Sequence, residues 1–187
     1  MHGPLLIPDS SPFAFIVGAP RCGTTFLSWQ LQQHPDVCFS KPKEPHYFAA
    51  RDLRSLDKDQ LRGAVQEEYL DRYFAHRREG ATLAEGSVTY LYVPEQLEPI
   101  LRLWPRAKFI IALRDPLTML PSLHQRLRFI GDETISDFDR AWAAVPDRRA
   151  GRRVPRRCAD PRWLDYREAG KLGSYLCLLY TSPSPRD

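Results

Sequence analysis

Three observations predict an α/β fold in which a central parallel sheet is flanked by helices. The apolar run Phe13 to Val17 passes through a glycine-bracketed turn into a helix-like pattern, and a second continuous apolar run at 109–113 stops at a charged pair and a proline. Between the two, segments of strand character alternate with segments of helical period, the order expected of parallel strands joined by crossovers. A chain of 187 residues, 43% hydrophobic, is long enough and apolar enough for one domain with a real core.

Gly18 and Gly23 enclose four residues, the spacing of the phosphate loop G-x-x-x-x-G-K-[ST]. Backbone amides in such a loop, at the start of a helix, can curl around an anion. Thr24 stands where the loop lysine would follow the second glycine, Thr25 takes the hydroxyl position, and Arg21 places a cation inside the loop. The loop therefore lacks the lysine that reaches a γ-phosphate. An ordinary strand-turn-helix corner is the plain alternative for the glycine spacing taken alone.

Phe26, Leu27 and Leu31 fit a helix that ends before His34-Pro35, because the residue preceding a proline is pushed out of the α region. Val37-Cys38-Phe39 reads as a short buried strand. Residues 40–48 carry two prolines and read as a loop rich in titratable groups. Since that loop follows the second strand, near the mouth of the first loop, Glu44 and His46 are candidates for acid-base work.

Residues 53–78 have the period of a helix with Leu56, Leu61, Val65, Tyr69, Tyr73 and Phe74 on its apolar face. Residues 82–92 look like a short strand running into a loop, and Pro94 opens a helix that ends at Trp104-Pro105. Lys108 to Leu113 is the strongest buried-strand pattern in the chain. A magnesium-binding strand would end on an aspartate alone, but here Arg114 precedes Asp115 and sets a permanent cation at the strand tip, where α/β proteins bind ligands.

Helical period resumes through Met119, Leu120, Leu123, Leu127 and Phe129, which brings Ser122 onto Arg114's side of the site. Phe138, Ala141 and Trp142 mark a short helix, the arginines between 148 and 157 read as a solvated loop, and Trp163, Leu164, Tyr166 and Tyr175 mark a last ordered piece.

The net charge of +4 favours an anionic ligand. Cys22, Cys38, Cys158 and Cys177 have neither zinc spacing nor a disulfide framework, so no metal is expected and a reducing compartment is. Before Phe13 the apolar run Leu5-Leu6-Ile7 is too short for the apolar region of a signal peptide or for a membrane span, and no basic start precedes it; a cytoplasmic location follows as the expectation, with no nucleic-acid partner.

With these residues in hand, the chain from about Phe13 to Leu176 resembles the sulfotransferases that use 3′-phosphoadenosine 5′-phosphosulfate (PAPS). Residues 18–25 are similar to that family's 5′-phosphosulfate loop, and Arg114 with Ser122 to its 3′-phosphate motif. Lys43 to Phe48 is similar to the loop that carries the general base in the carbohydrate-acting branch, and Glu85 to Tyr90 to that branch's substrate loop, although Gly86 falls where several relatives have lysine and Val88 where many have proline.

The resemblance implies a phosphate-loop-containing three-layer fold and PAPS as co-substrate without a metal. Arg21, Cys22, Gly23, Thr24, Thr25, Phe26, Arg114 and Ser122 would hold the nucleotide. Glu44 would act as base, with Arg21 and His46 also in the catalytic set, on a hydroxyl or amine acceptor that is expected to be a carbohydrate. A kinase- or NTPase-like nucleotide-binding protein, distinguishable by magnesium dependence, and an inactive nucleotide-binding fragment are the competing readings.

The family's later strand and nucleotide-covering basic loop have no counterpart after Tyr175, so the fold is expected to be incomplete at its C-terminus. The domain is expected to be 1–176. Residues 177–187 are similar to translated sequencing-adapter read-through, with a natural flexible Ser/Pro tail as the alternative, and the segment is expected to be non-native and to pack on nothing.

Overall fold

The computed structural model describes residues 12–181. Four strands, β1 (Phe13–Gly18), β2 (Val37–Phe39), β3 (Thr82–Glu85) and β4 (Lys108–Ala112), form one sheet in the order β2-β3-β1-β4, and every pairing is parallel. Parallel pairing puts the four strand ends Gly18, Phe39, Glu85 and Ala112 on one edge of the sheet. The predicted central parallel sheet flanked by helices is the architecture found.

The helices are α1 (Thr24–Gln32), α2 (Tyr47–Ala50), α3 (Lys58–Val65), α4 (Asp71–Tyr73), α5 (Glu98–Leu103), α6 (Pro116–Ile130), α7 (Phe138–Ala143), α8 (Val145–Arg149), α9 (Tyr166–Ala169) and α10 (Leu172–Thr181). Two compact units result: residues 12–18, 23–112 and 175–181 form one, and residues 19–22 and 113–174 the other.

In the first unit, alternation along β1 sorts its side chains between two layers. Phe13, Phe15 and Val17 join an aromatic core with Phe48, Tyr69, Phe74, Tyr90 and Trp104, in which the Phe13 and Phe15 rings stack at 4.3 Å. Ile16 faces the other way, onto Phe39 and Ala84, with Leu27 and Leu31 of α1 against them. Fully buried Phe13, Phe15, Ile16 and Val17 each contribute roughly 1.5–3 kcal/mol through removal from water.

Several expectations are corrected. Helix α3 starts at Lys58, not at Leu53, because Asp57 caps it: the Asp57 carboxylate accepts from the Asp59 and Gln60 amides, and the Gln60 side chain accepts from the Asp57 amide. A π-turn at Gln66–Leu70 follows, and it lets Tyr69 and Leu70 both point inward. The predicted loop at 40–48 ends early, since Tyr47 and Phe48 already belong to α2.

Strand β4, expected to be fully buried, is only half-buried from Phe109 to Ala112. It has β1 on one side and no strand on the other among the described residues. The helix expected from Phe26, Leu27 and Leu31 is found as α1, but Thr24 and Ser28 make its buried face while Phe26 and Trp29 stand exposed with rings 6.3 Å apart.

In the second unit, α6 buries Met119, Leu120, Leu123, His124 and Leu127, and Gly131 closes it in the left-handed conformation. Phe129 is 83% exposed instead of sharing that face, because two residues past Leu127 is more than half a turn away.

The arginine-rich segment is not a plain solvated loop. It begins as α8, and its Arg148 is buried, donating from Nη2 to Glu133 at 2.7 Å; Arg149 pairs with Asp165, and Arg152 and Arg153 with Asp147. Near the C-terminal end of the described residues, α10 runs through Thr181. Leu179 packs against the first unit's core while Leu178 and Tyr180 are exposed, so the expectation that nothing packs from Cys177 onward fails at Leu179.

Candidate functional site

At the end of β1 the chain passes closest to its neighbouring strand. A Cβ on Gly18 would sit 2.3 Å from the Ala112 carbonyl oxygen, and the φ of 155° there is one that side chains rarely adopt, so only glycine fits. Gly23, with φ 81°, is the N-cap of α1; no side chain caps this helix and its first turn holds no acid. The first amides of α1 therefore keep their donors and their partial positive charge for an anion. Thr24 is buried beneath this terminus and Thr25 is exposed on it.

In the second unit Arg21 and Ser122, 101 residues apart in sequence, are joined: Arg21 Nε donates to Ser122 Oγ at 3.0 Å. Arg21 adopts φ 66°, a left-handed conformation that costs a non-glycine residue free energy. Arg114 Nε donates to Thr118 Oγ1 at 2.9 Å.

Ser122, expected beside Arg114, thus partners Arg21, while Thr118, which the sequence reading passed over, partners Arg114; Arg114 precedes the N-cap of α6 and Thr118 lies in its first turn, so no helical spacing marked the pair. Neither arginine has an ion-pair partner among the described residues, unlike those of α8. Asp115 accepts from the Leu117 amide and so caps α6. Cys22 Sγ donates to the Pro20 carbonyl oxygen, and burial pushes its thiol pKa up.

The other candidate residues lie in the first unit, where two loops are stitched together beyond the strand ends. The Ser40 amide donates to the Ala84 carbonyl, the Gly86 amide to the Lys43 carbonyl, and the His46 amide to Ser87 Oγ at 2.9 Å. His46 holds φ 52°, its Nδ1 lies 2.8 Å from Thr89 Oγ1, and its Nε2 lies 3.3 Å from Glu44 Oε2. Lys43 Nζ donates to Glu44 Oε1. Glu44 and His46 therefore meet, as alternation along an extended loop predicts.

Burial raises the Glu44 pKa, but hydrogen bonds from His46 and Lys43 outweigh it and hold the carboxyl below its ordinary value. Glu44 is a carboxylate at neutral pH, able to accept a proton.

A second carboxyl group, which entered the sequence reading only as the first residue of the substrate-loop resemblance and with no role of its own, ends β3. Glu85 is fully buried, and burial pushes its pKa up to about 8, against the opposing influence of the Tyr90, Tyr69 and Ser87 hydroxyls; the charge on Glu44 adds to the rise. Two carboxyl groups on adjoining loops are thus driven apart, one ionised and one neutral.

A folded-state pKa raised from 4.5 to about 8 gives stability that is fully present below the lower value and is lost as pH rises through the upper one. Across that window the unfolding free energy of the protein is expected to fall relative to that of Glu85→Gln by up to ~1.4 kcal/mol per pH unit. Parallel stability curves from urea titrations at stepped pH would remove this assignment.

Among the described residues no group of three or more His, Cys, Asp or Glu side chains is placed to hold a metal, and no helix is long and apolar enough to cross a membrane.

Comparison with known proteins bears on this geometry. Residues 12–153 match the model of the Sulfotransferase family. A crystal structure of a sulfotransferase from Alicyclobacillus acidocaldarius superposes with a TM-score of 0.70 at 28% identity, covering 91% of this chain and 68% of that one. Carbohydrate sulfotransferase 15 of Rattus norvegicus is 41% identical over 75 residues, 39% of this chain and 13% of that protein. Protein-tyrosine sulfotransferase 1 of Mus musculus is 29% identical over 140 residues, 68% of this chain and 36% of that protein. The chain thus matches only a minor part of the length of either curated relative. The family match over most of the chain and the shared parallel sheet lead to one conclusion: this chain belongs to the sulfotransferase family.

Proposed function

We propose that the protein transfers a sulfuryl group from PAPS to a hydroxyl or amine acceptor, with a carbohydrate hydroxyl as the favoured acceptor. The observation that carries the reading is the pair of uncommitted arginines, Arg21 and Arg114, each held by a hydroxyl and neither by a carboxylate. A nucleotide with phosphate groups at both 3′ and 5′ positions supplies the anions that two such cations and an uncapped helix start require.

In this reading Arg21 and the first amides of α1 balance the charge that grows on the 5′-phosphate oxygen as its bond to sulfur breaks. Arg114 holds the 3′-phosphate, with Ser122 and Thr118 fixing the two arginines. Glu44 accepts the acceptor's proton as the new oxygen–sulfur bond forms, leaving adenosine 3′,5′-bisphosphate and the sulfated acceptor. His46 keeps Glu44 oriented. Position supplies most of the rate, since transfer in line needs both oxygens placed on opposite sides of sulfur.

The direct test is transfer of radiolabel from [³⁵S]PAPS to a panel of fully desulfated heparin, desulfated chondroitin and an acidic tyrosine peptide. Label on the polysaccharides alone supports the favoured acceptor, label on the peptide alone overturns it, and no label on any of them counts against the transferase reading.

Arg114→Ala is expected to weaken adenosine 3′,5′-bisphosphate binding by about 1.5–3 kcal/mol, the range for a hydrogen bond to a charged group, while leaving adenosine 5′-phosphate binding unchanged. Calorimetry that finds the same loss for both nucleotides would remove the 3′-phosphate role.

A further inference from the structure

Glu85 sits where β3 leaves the sheet, and its surroundings join the hydrophobic core to the Glu44–His46 loop. On the core side the hydroxyls of Tyr69 and Tyr90 act on its carboxyl group. Tyr90 is itself tied to α2, because its hydroxyl oxygen accepts from the Phe48 amide at 3.3 Å, which leaves its own proton for donation. On the loop side Ser87 Oγ donates to Glu85 Oε2 at 3.4 Å and accepts from the His46 amide at 2.9 Å.

The turn between them has no slack. A Cβ on Gly86 would meet Ser28 Oγ at 2.8 Å, and the Gly86 amide is spent on the Lys43 carbonyl. Glu85 and Ser87 are both 0% exposed, so solvent is kept from the bond between them. Glu85 Oε1 and the Tyr69 hydroxyl are the buried atoms here that lack ordinary hydrogen-bond geometry, a cost that a residue kept only for packing would avoid.

We propose that Glu85 is a positioning residue for the Glu44–His46 loop, acting through Ser87 and touching neither donor nor acceptor. Its neutral carboxyl group offers a donor and an acceptor together, so it can receive from Ser87 while its remaining hydrogen-bonding capacity faces the tyrosines. The left-handed backbone at His46 is strained, and the Ser87 contact on its amide is one of the bonds that hold it. This deepens the transferase reading and rests on it for the effect on turnover, but the contact itself is testable without any reaction.

The experiment is amide hydrogen exchange of the full chain by NMR, with thermal melting to establish that each variant is folded. Glu85→Leu removes the polar link at similar volume and is expected to abolish protection of the His46 amide, whereas Glu85→Gln, which keeps a donor and an acceptor, restores it. Protection retained in folded Glu85→Leu, or lost equally in Glu85→Gln, overturns the proposal.

Should Glu85→Leu not fold, Ser87→Ala decides the matter: an unchanged His46 amide there is equally fatal. For turnover, with [³⁵S]PAPS and fully desulfated heparin as probe, Glu85→Leu is expected to lower kcat by up to ~10²-fold, the cost of misplacing a reacting group by about 1 Å, with the KM for PAPS unchanged and with rescue by Glu85→Gln. A kcat unaffected by Glu85→Leu would also overturn it. If no form of the protein transfers sulfate, the transferase reading fails while the exchange result still decides the role of Glu85.

Discussion

Glu44→Gln is expected to lower kcat for sulfuryl transfer by roughly 10²–10⁴-fold, the range for loss of a general base, with PAPS affinity nearly unchanged. Glutamine keeps the shape of the side chain and one acceptor oxygen toward Lys43 or His46, so the loop stays in place and only the basic site is lost. The carboxylate owes its charge to those two neighbours, which hold its pKa below the ordinary value despite burial. Its electrostatic contribution to stability is therefore present above the unfolded value and is lost as pH falls through the folded one, opposite in sign to that of Glu85. Single-turnover and steady-state kinetics on the variant measure the effect. Full turnover in Glu44→Gln would transfer the role of base to His46, which with Lys43 makes up the titratable side chains in contact with Glu44 among the described residues.

Arg148→Met is expected to cost about 3–5 kcal/mol of unfolding free energy, the loss typical when one member of a buried ion pair is removed. Its partner Glu133 is fully buried and also accepts from the Ile135 amide and the Tyr166 hydroxyl, each at 2.8 Å. Burial raises the Glu133 pKa, but these bonds and Arg148 overcome it and keep the carboxyl below its ordinary value. Without Arg148 a buried charge would stand uncompensated. The double variant Arg148→Met, Glu133→Leu should recover much of the loss, since replacing both partners by apolar groups removes the desolvation penalty along with the attraction. Urea unfolding at neutral pH measures both; a single-variant loss below about 1 kcal/mol would show that the pair is dispensable.

The two expectations differ in how visible their residues were beforehand. Glu44 could be found because it lies in a loop with two prolines, between a strand and an apolar pair, where a carboxylate and a histidine have no packing reason to be. Arg148 could not: six arginines crowd residues 148–157, and nothing in their spacing marks the one that turns inward. Its partner lies fifteen residues earlier, and only the folding of α7, α8 and α9 brings Arg148, Glu133 and Tyr166 together.

The sequence by itself determined the strands, their parallel arrangement in a central sheet, the glycine loop and the identities of the charged groups at the strand ends. Those features follow from local rules: apolar runs of strand length, proline and glycine punctuation, and the backbone freedom that Gly18 and Gly23 require. Tertiary structure alone decided which groups touch. It joined Ser122 to Arg21 across 101 residues, gave Arg114 to Thr118, left β4 half-buried at a sheet edge, and made Glu85 neutral and Glu44 charged on adjoining loops. The physical reason is that burial and hydrogen bonding set the protonation and orientation of a side chain, and both are properties of its neighbours in space, which a linear pattern does not contain.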